Sequence, residues 1–334
     1  MSELRWNPLL GEWVATATNR QGRTFLPPAD FCPLCPTSPG GFPTEVPEES
    51  YDIVVFENRF PSLRPAPPEP AVAASDLYPV RPAAGQCEVI VYTPRHESTL
   101  AGESVEQIHK LVRVWVDRFR ELGEEAHADY VFIFENKGEA IGVTLHHPHG
   151  QIYAYPFVPP RVARELEESL THRERTGRCL VCDITSEERG DGRRVVAENE
   201  SFVAVIPFFA RYPYEVHVYP LRHLQALTDM REVELRDLAS VLKAVISAYD
   251  RLFDISFPYM MVLHQRPTDG GSYEHYHFHV EFYPPLRTQA KLKFLAGSEM
   301  GAGLFINDTL AEEKAAELRS KVEPVVWGER GFGA

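Results

Sequence analysis

A chain that repeats itself once has to build its fold from two copies of one unit, and this sequence of 334 residues does so. The segment VIVYTPRH, ending at His96, resembles VHVYPLRH, ending at His223. HPHGQIYAYP from His147 to Pro156 matches HYHFHVEFYP from His275 to Pro284 without a gap, which pairs His147 with His275. Between these landmarks the order of elements is the same in both halves. Val105, Ile108, Val112, Trp115, Val116, Phe119 and Leu122 recur at helical spacing, as do Leu235, Leu238, Leu242, Val245, Tyr249 and Leu252. Each helix leads into a short apolar run that reads as a buried strand, Tyr130 to Phe134 and Tyr259 to Leu263. The expected fold class is α+β, with two half-domains related by internal duplication, each an antiparallel sheet with a long helix. FENRFP at 56–61 pairs with FFARYP at 208–213, but the path from there to His96 is much longer than the path to His223. The excess holds the proline-rich run Pro65 to Pro70, which reads as a surface loop. Arg161 to Arg178 reads as a charged helical linker, dividing residues 1–170 from residues 171–334.

Four of the five cysteines form two CxxC pairs, Cys32 with Cys35 and Cys179 with Cys182. In a reducing compartment such a pair reads first as half of a zinc site and then as a redox motif. The redox reading needs one pair at a helix start after a strand, which neither flank resembles. Structural zinc takes four Cys or His ligands. The repeat supplies two histidines to each pair, giving Cys32, Cys35, His96 and His147, and Cys179, Cys182, His223 and His275. Two zinc ions are therefore expected, the alternative being a second set that has lost its metal. His275, His277, His279 and Glu281 alternate, so in a strand all four share one face, with Tyr276, Phe278, Val280 and Phe282 on the core side. Some of these could hold a further metal with His264 and Glu165. Cys87 reads as an ordinary strand residue.

With His147 given to zinc, His149 shares its strand face and is left free. A neutral imidazole is a competent nucleophile toward phosphorus, and a backbone carbonyl on its other ring nitrogen would fix the tautomer. Gly150 lets a phosphate approach the backbone, and Gln151 can donate to a phosphoryl oxygen without adding charge. The alternative is that His149 is itself a ligand or a packed residue.

Lys plus Arg number 34 and Asp plus Glu 48, for a net charge of −14, which argues against a nucleic-acid partner. A zinc-ribbon module binding nucleic acid is the reading this charge opposes. No run approaches the length of a membrane span, and the start lacks the pattern of a secretory signal, so a cytoplasmic enzyme is expected.

ENKG at 135–138, Gly142-Val143-Thr144 and HPHGQ at 147–151, with CPLC, YTPRHESTL and HVEFYPPLR, together resemble the galactose-1-phosphate uridylyltransferase family of the histidine-triad superfamily, from Arg20 to about Glu299. The resemblance implies a ping-pong transfer through a uridylyl-histidine at His149, with UDP-glucose and galactose 1-phosphate as substrates, in a homodimer. It implies phosphate contacts from Asn136, Gly142, Thr144 and Gln151, with Arg20 and Arg23 helping to hold phosphates, and nucleoside contacts near Asn58. Sugar contacts fall on Lys293, Phe294 and Glu299, and a second metal site of the family on Glu165, His264, His279 and Glu281. The sequence departs from the family in four places. Arg59 stands where better-known members carry Asp, Ser298 where Tyr is expected, Gly303-Leu304-Phe305 where a sugar-binding Gln is expected, and Glu281 where others carry His. The second CxxC is similar to that of a plant relative acting on ADP-glucose, so a nucleotide-sugar phosphorylase using the same histidine is the alternative within the fold, with a dinucleotide hydrolase third.

Overall fold

The computed structural model describes residues 2–23 and 31–327, the side chains of residues 22 and 23 excepted. In chain order its strands and helices are β1 (Ser2–Asn7), β2 (Glu12–Ala17), β3 (Val54–Glu57), β4 (Val80–Pro82), β5 (Gln86–Val91), α1 (Val105–Gly123), β6 (Tyr130–Lys137) and β7 (His149–Tyr155) in the first half. The second half holds α2 (Pro160–Thr176), α3 (Leu180–Asp191), β8 (Val195–Glu198), β9 (Phe202–Val205), β10 (Val216–Pro220), α4 (Glu232–Phe253), β11 (Tyr259–His264), β12 (His279–Tyr283), β13 (Leu286–Thr288), β14 (Lys291–Leu292) and α5 (Ala311–Arg319).

The two half-sheets are not separate. They fuse into one nine-stranded sheet of order β3-β5-β7-β6-β11-β12-β10-β9-β8. The seam is the antiparallel pair β6–β11, in which Phe134 sits opposite Val262. Phe134 is also opposite Gln151, and Val262 opposite Glu281. A pseudo-twofold axis therefore passes between Phe134 and Val262 and relates Gln151 to Glu281. It likewise relates Val89, opposite Gln151, to His217, opposite Glu281.

Alternation along the strands gives the sheet two different faces. One carries Ile90, Val131, Ile133, Ile152, Val218, Met261, Leu263, Val280 and Phe282, and on it lie α1 and α4, packed against each other in a single core. Helix α1 starts where the Ser104 side chain accepts the Gln107 amide (3.2 Å), and its buried stripe runs from Val105 through Trp115 to Leu122. The long helices expected from periodicity are thus present, but they bury their apolar stripes in one core shared by both halves.

The other face carries the chemistry. Over the first half it is closed by a three-stranded sheet of order β2-β1-β4, which packs Leu4 and Trp13 against Cys87, Phe134 and Tyr153. Sequence reading missed this sheet, because β1 and β2 lie before the repeat begins. The proline-rich segment before β4 is largely exposed, as expected. Over the second half lies α2, the expected charged linker. It is more than a linker, since Val162 and Leu166 bury against Tyr130 and Tyr276. Tyr276 therefore packs under α2 and not with Phe278, Val280 and Phe282. Among the described residues no helix is long and apolar enough to cross a membrane.

The shared core makes the halves one folding unit. Trp115→Ala is expected to cost about 3–5 kcal/mol and to move a single urea transition, identical by circular dichroism and by fluorescence. Two separated transitions would show that the halves unfold independently.

Candidate active site and metal centres

At the first-half end of the sheet, Cys32, Cys35, His96 and His147 bring one ligand atom each to within 4.8 Å of one another. Cys35 Sγ lies 3.5 Å from Nδ1 of both histidines, and Cys32 Sγ lies 3.8 Å from His147 Nδ1. A tetrahedral zinc with its usual S and N bond lengths has S···N edges of about 3.6 Å, so the spacing fits that metal. Burial, and then the neighbouring Cys32, push the Cys35 thiol up to about 12, so the pair needs a cation to hold two thiolates. The His147 Nε2–H donates to the Thr93 carbonyl at 2.7 Å, which leaves Nδ1 as the ligand. The Tyr51 hydroxyl, which sequence reading did not single out, donates to the same carbonyl (2.9 Å) and lies 3.2 Å from Nε2.

Two residues on, at the start of β7, His149 turns its Nδ1–H to the His147 carbonyl (2.8 Å), so its Nε2 keeps a lone pair. Burial, opposed by that hydrogen bond, holds its pKa below the ordinary histidine value, and the ring is neutral near pH 7. Gln151, next on the same face, accepts on Oε1 from the Tyr153 hydroxyl (3.0 Å) and from Asn58 Nδ2 (3.3 Å). With its oxygen occupied, the amide NH₂ is left as a donor. Arg20 Nη1 donates to the Tyr153 hydroxyl at 3.4 Å, which joins a guanidinium to the group. Asn136 shares a small cavity with His147 and His149. The structure thus gathers His149, Gln151, Asn58, Asn136 and Arg20 on one face.

Gly142 and Thr144 lie on the loop between β6 and β7, where Gly142 adopts a left-handed conformation (φ 83°). The Arg23 side chain lies outside the described residues. Arg59, where the family resemblance leads one to expect Asp, pairs with Glu45 at 2.9 Å. Lys293, Phe294 and Glu299 are not among the residues that line the cavity at His149. They lie past β12, where the Lys293 amide donates to the Pro285 carbonyl and the buried Lys293 ammonium sits 3.6 Å from Glu299. Phe294 is exposed there.

The second Cys/His set forms with one correction. Cys179, Cys182 and His223 are joined by His277 and not by His275. Cys182 Sγ is 3.4 Å and Cys179 Sγ 3.5 Å from His277 Nδ1, with Cys182 to His223 Nδ1 at 3.8 Å, again zinc-like edges. His275 is half-buried beside Tyr273. The gapless match was two residues out of register, and because a strand repeats every two residues such a shift leaves the alternation of faces unchanged. Matching HPHGQ to HFHVE, histidine-x-histidine ending in an amide or acid, would have found it. The same correction makes His279 the counterpart of His149, and its Nδ1 likewise bonds the His277 carbonyl, at 3.0 Å.

His279 has different company, however. Glu165, His264, His279 and Glu281 form a third cluster able to hold a metal. Glu165 accepts from His264 Nδ1 (2.7 Å) and from the Tyr276 hydroxyl (3.0 Å), and Arg161 of α2 pairs with Glu281 at 2.8 Å. Burial opposes the charge of Glu165, but His264 holds its carboxyl down at about 2. Burial also opposes charge on His279, yet Glu281 and Glu165 raise its pKa. Where His149 has a neutral glutamine beside it, His279 has a carboxylate, so the duplicate histidine favours a proton or a metal on Nε2 over a free lone pair.

Fold and site define the class: a duplicated α+β protein of the nucleotidyltransferase kind. The chain belongs to the galactose-1-phosphate uridylyltransferase family. The model of that family's N-terminal domain matches residues 1–159, and the model of its C-terminal domain residues 165–326. It is 45% identical to the galactose-1-phosphate uridylyltransferase of Thermotoga maritima, over 96% of this chain and 98% of that one. To the enzyme of the same name from Haemophilus influenzae it is 35% identical, over 96% and 94%. A solved uridylyltransferase structure superposes with a TM-score of 0.85 at 39% identity, covering 96% of this chain and 98% of that one. An ADP-glucose phosphorylase from Arabidopsis thaliana, 23% identical with a TM-score of 0.71, covering 96% of this chain and 98% of that one, shares the fold.

The two Cys/His sets differ in support. His147 Nε2 is held by Thr93, whereas His277 Nε2 is buried with no hydrogen-bond partner among the described residues, and Cys179 and Cys182 line an open cavity of about 410 Å³. A missing outer partner typically weakens metal binding about 10–100-fold. Chelator titration of the zinc-loaded protein is expected to release the Cys179 set first, and Cys179→Ala to abolish that early fraction only. Simultaneous release of both would contradict the difference.

Proposed function

We propose that this chain transfers a uridylyl group between hexose 1-phosphates by a double displacement on His149. The observation that carries the reading is the pair formed by the His149 Nε2 lone pair and the amide donor of Gln151, on a strand whose position a metal at His147 would fix. In the first step Nε2 attacks the α-phosphorus of UDP-glucose. The bond to the bridging oxygen breaks, and glucose 1-phosphate leaves. In the second, a phosphate oxygen of galactose 1-phosphate attacks the same phosphorus, the N–P bond breaks, and UDP-galactose departs. Gln151 and Asn136 are placed to donate to the phosphoryl oxygens, Arg20 to offset their charge, and Asn58 to meet the nucleoside. Gly142, Thr144 and Arg23 fall on the phosphate side by family resemblance. Bound zinc would supply structure, holding β7 through His147.

In this reading residues 1–170 carry the nucleophile and its metal, and residues 171–334 carry the second zinc set. The hexose side belongs to Lys293, Phe294 and Glu299. Their absence from the cavity at His149, and the exposed apolar side chains Phe294, Met300, Leu304 and Leu310, support a homodimer in which one copy completes the other's site. Five cysteines free of disulfides support a reducing, cytoplasmic setting.

Intact-mass measurement after incubation with UDP-glucose alone is expected to show a UMP-sized gain that galactose 1-phosphate clears. His149→Asn is expected to keep its zinc and fold while losing the adduct. An AMP-sized gain from ADP-glucose, cleared by phosphate, would instead establish the phosphorylase, and no adduct in the wild-type protein would overturn His149. Because protonation consumes the Nε2 lone pair and burial lowers the His149 pKa, the acid limb of adduct formation, its loss as the pH is lowered, is expected to be centred below the ordinary histidine value of 6.5. An acid limb centred above that value would contradict the assignment.

A further inference from the structure

Directly behind the nucleophile, on the helix-covered face, lies a buried carboxyl for which this reaction scheme has no use. Glu135 of β6 is 3% exposed. The Tyr259 hydroxyl donates to its Oε1 at 3.2 Å, the Tyr92 hydroxyl faces the same carboxyl, and Oε2 has no hydrogen-bond partner among the described residues. A core does not keep such a group without a reason, because an unpaired buried acid oxygen is costly. The fold itself does not require it. The pseudo-twofold that relates Gln151 to Glu281 relates Glu135 to Leu263 and Gly150 to Val280, and both counterparts are fully buried apolar residues. The half with a working histidine has an acid over a glycine where the half without one has leucine over valine.

The glycine explains what the acid can reach. A Cβ on Gly150 would lie 2.1 Å from the Tyr92 Oη and 3.0 Å from the Phe134 carbonyl, so the Tyr92 phenol rests against the backbone of Gly150. Gly150 is the residue between His149 and Gln151. Glu135 also lines the cavity of about 70 Å³ that His147, His149 and Asn136 share.

We propose that Glu135 is a positioning residue for uridylyl transfer: together with Tyr92 and Tyr259 it braces Gly150 from behind the sheet and so fixes the line of attack of His149 and the donor direction of Gln151. The proposal rests on His149 as nucleophile. The groups facing Glu135 are Lys137 on its own strand, Tyr92 after β5, Tyr259 on β11 and Asp250 on α4, with Lys137 and Asp250 paired to each other at 2.8 Å. Burial pushes its carboxyl up to about 7, against the pull of Lys137 and the two hydroxyls and with the push of Asp250. Above that pH a carboxylate replaces the neutral acid, draws the two hydroxyls toward itself and loosens the brace.

The test uses the first half-reaction, because UDP-glucose does not titrate near neutrality. Adduct formation on the zinc-loaded, full-length protein is followed by mass from about pH 6 to about pH 8.5, alongside zinc content, Tm and UDP-glucose affinity. The wild-type rate is expected to fall through about pH 7, and Glu135→Gln, which keeps the shape without the ionisation, to remove that fall. Glu135→Leu, the residue of the other half, is expected to be about 10- to 100-fold slower at every pH with affinity and zinc unchanged. A Leu variant at the wild-type rate, or a Gln variant that retains the inflection, overturns this proposal alone. A wild-type protein that forms no adduct overturns it together with the nucleophile. Should Glu135→Leu fail to fold, Tyr92→Phe removes the bracing hydroxyl and keeps the ring, with a slowed rate expected and a wild-type rate overturning the brace.

Discussion

The pairing of β6 with β11 is the constraint on which the rest of the structure depends. It joins two open half-sheets into one, so neither half leaves an unpaired edge at the seam. It also forces both long helices onto the same face, because an antiparallel pair about a twofold normal to the sheet keeps like faces together. With α1 and α4 committed to one side, the other is free for side chains that a core could not hold. The grouped histidines, Glu165, Glu281 and the paired thiols are found there or at its margins.

On that open face, the two ends of one symmetric frame hold opposite electrostatics. Each half has a Cys/His set that positions a strand, and the second histidine of each strand bonds the carbonyl of the first. The next residue on that face decides the outcome. Beside the neutral amide of Gln151, His149 keeps an uncharged ring with an available lone pair. Beside Glu281 and Glu165, the equivalent ring of His279 carries its proton or yields to a cation. Arg161 then closes the second half from α2. The duplication is thus conserved in backbone and broken in charge.

Much of this was legible from the sequence because it is periodic or repeated. The stripes of α1 and α4 and the apolar strands follow from spacing, and the grouping of Cys32, Cys35, His96 and His147 from the CxxC pair and the repeat. The choice of His275 failed because a two-residue shift preserves strand polarity, so hydrophobic pattern cannot detect it. Tyr51 and Tyr153 were invisible because their roles rest on single hydroxyl contacts made across long sequence separations. The sheet β2-β1-β4 was missed because it has no counterpart in the second half. That the two cores are one core could not be read either, since an amphipathic helix reveals that it has a partner without revealing which one.

Gly150 and Val280 have a consequence for how such a molecule can change. Adding a side chain at position 150 collides with Tyr92, while removing one at 280 would leave a hole in a filled core. Exchanging the surroundings of His149 and His279 would therefore require several substitutions together. Once two copies have diverged this far, the difference between their surroundings becomes a path that single mutations cannot retrace.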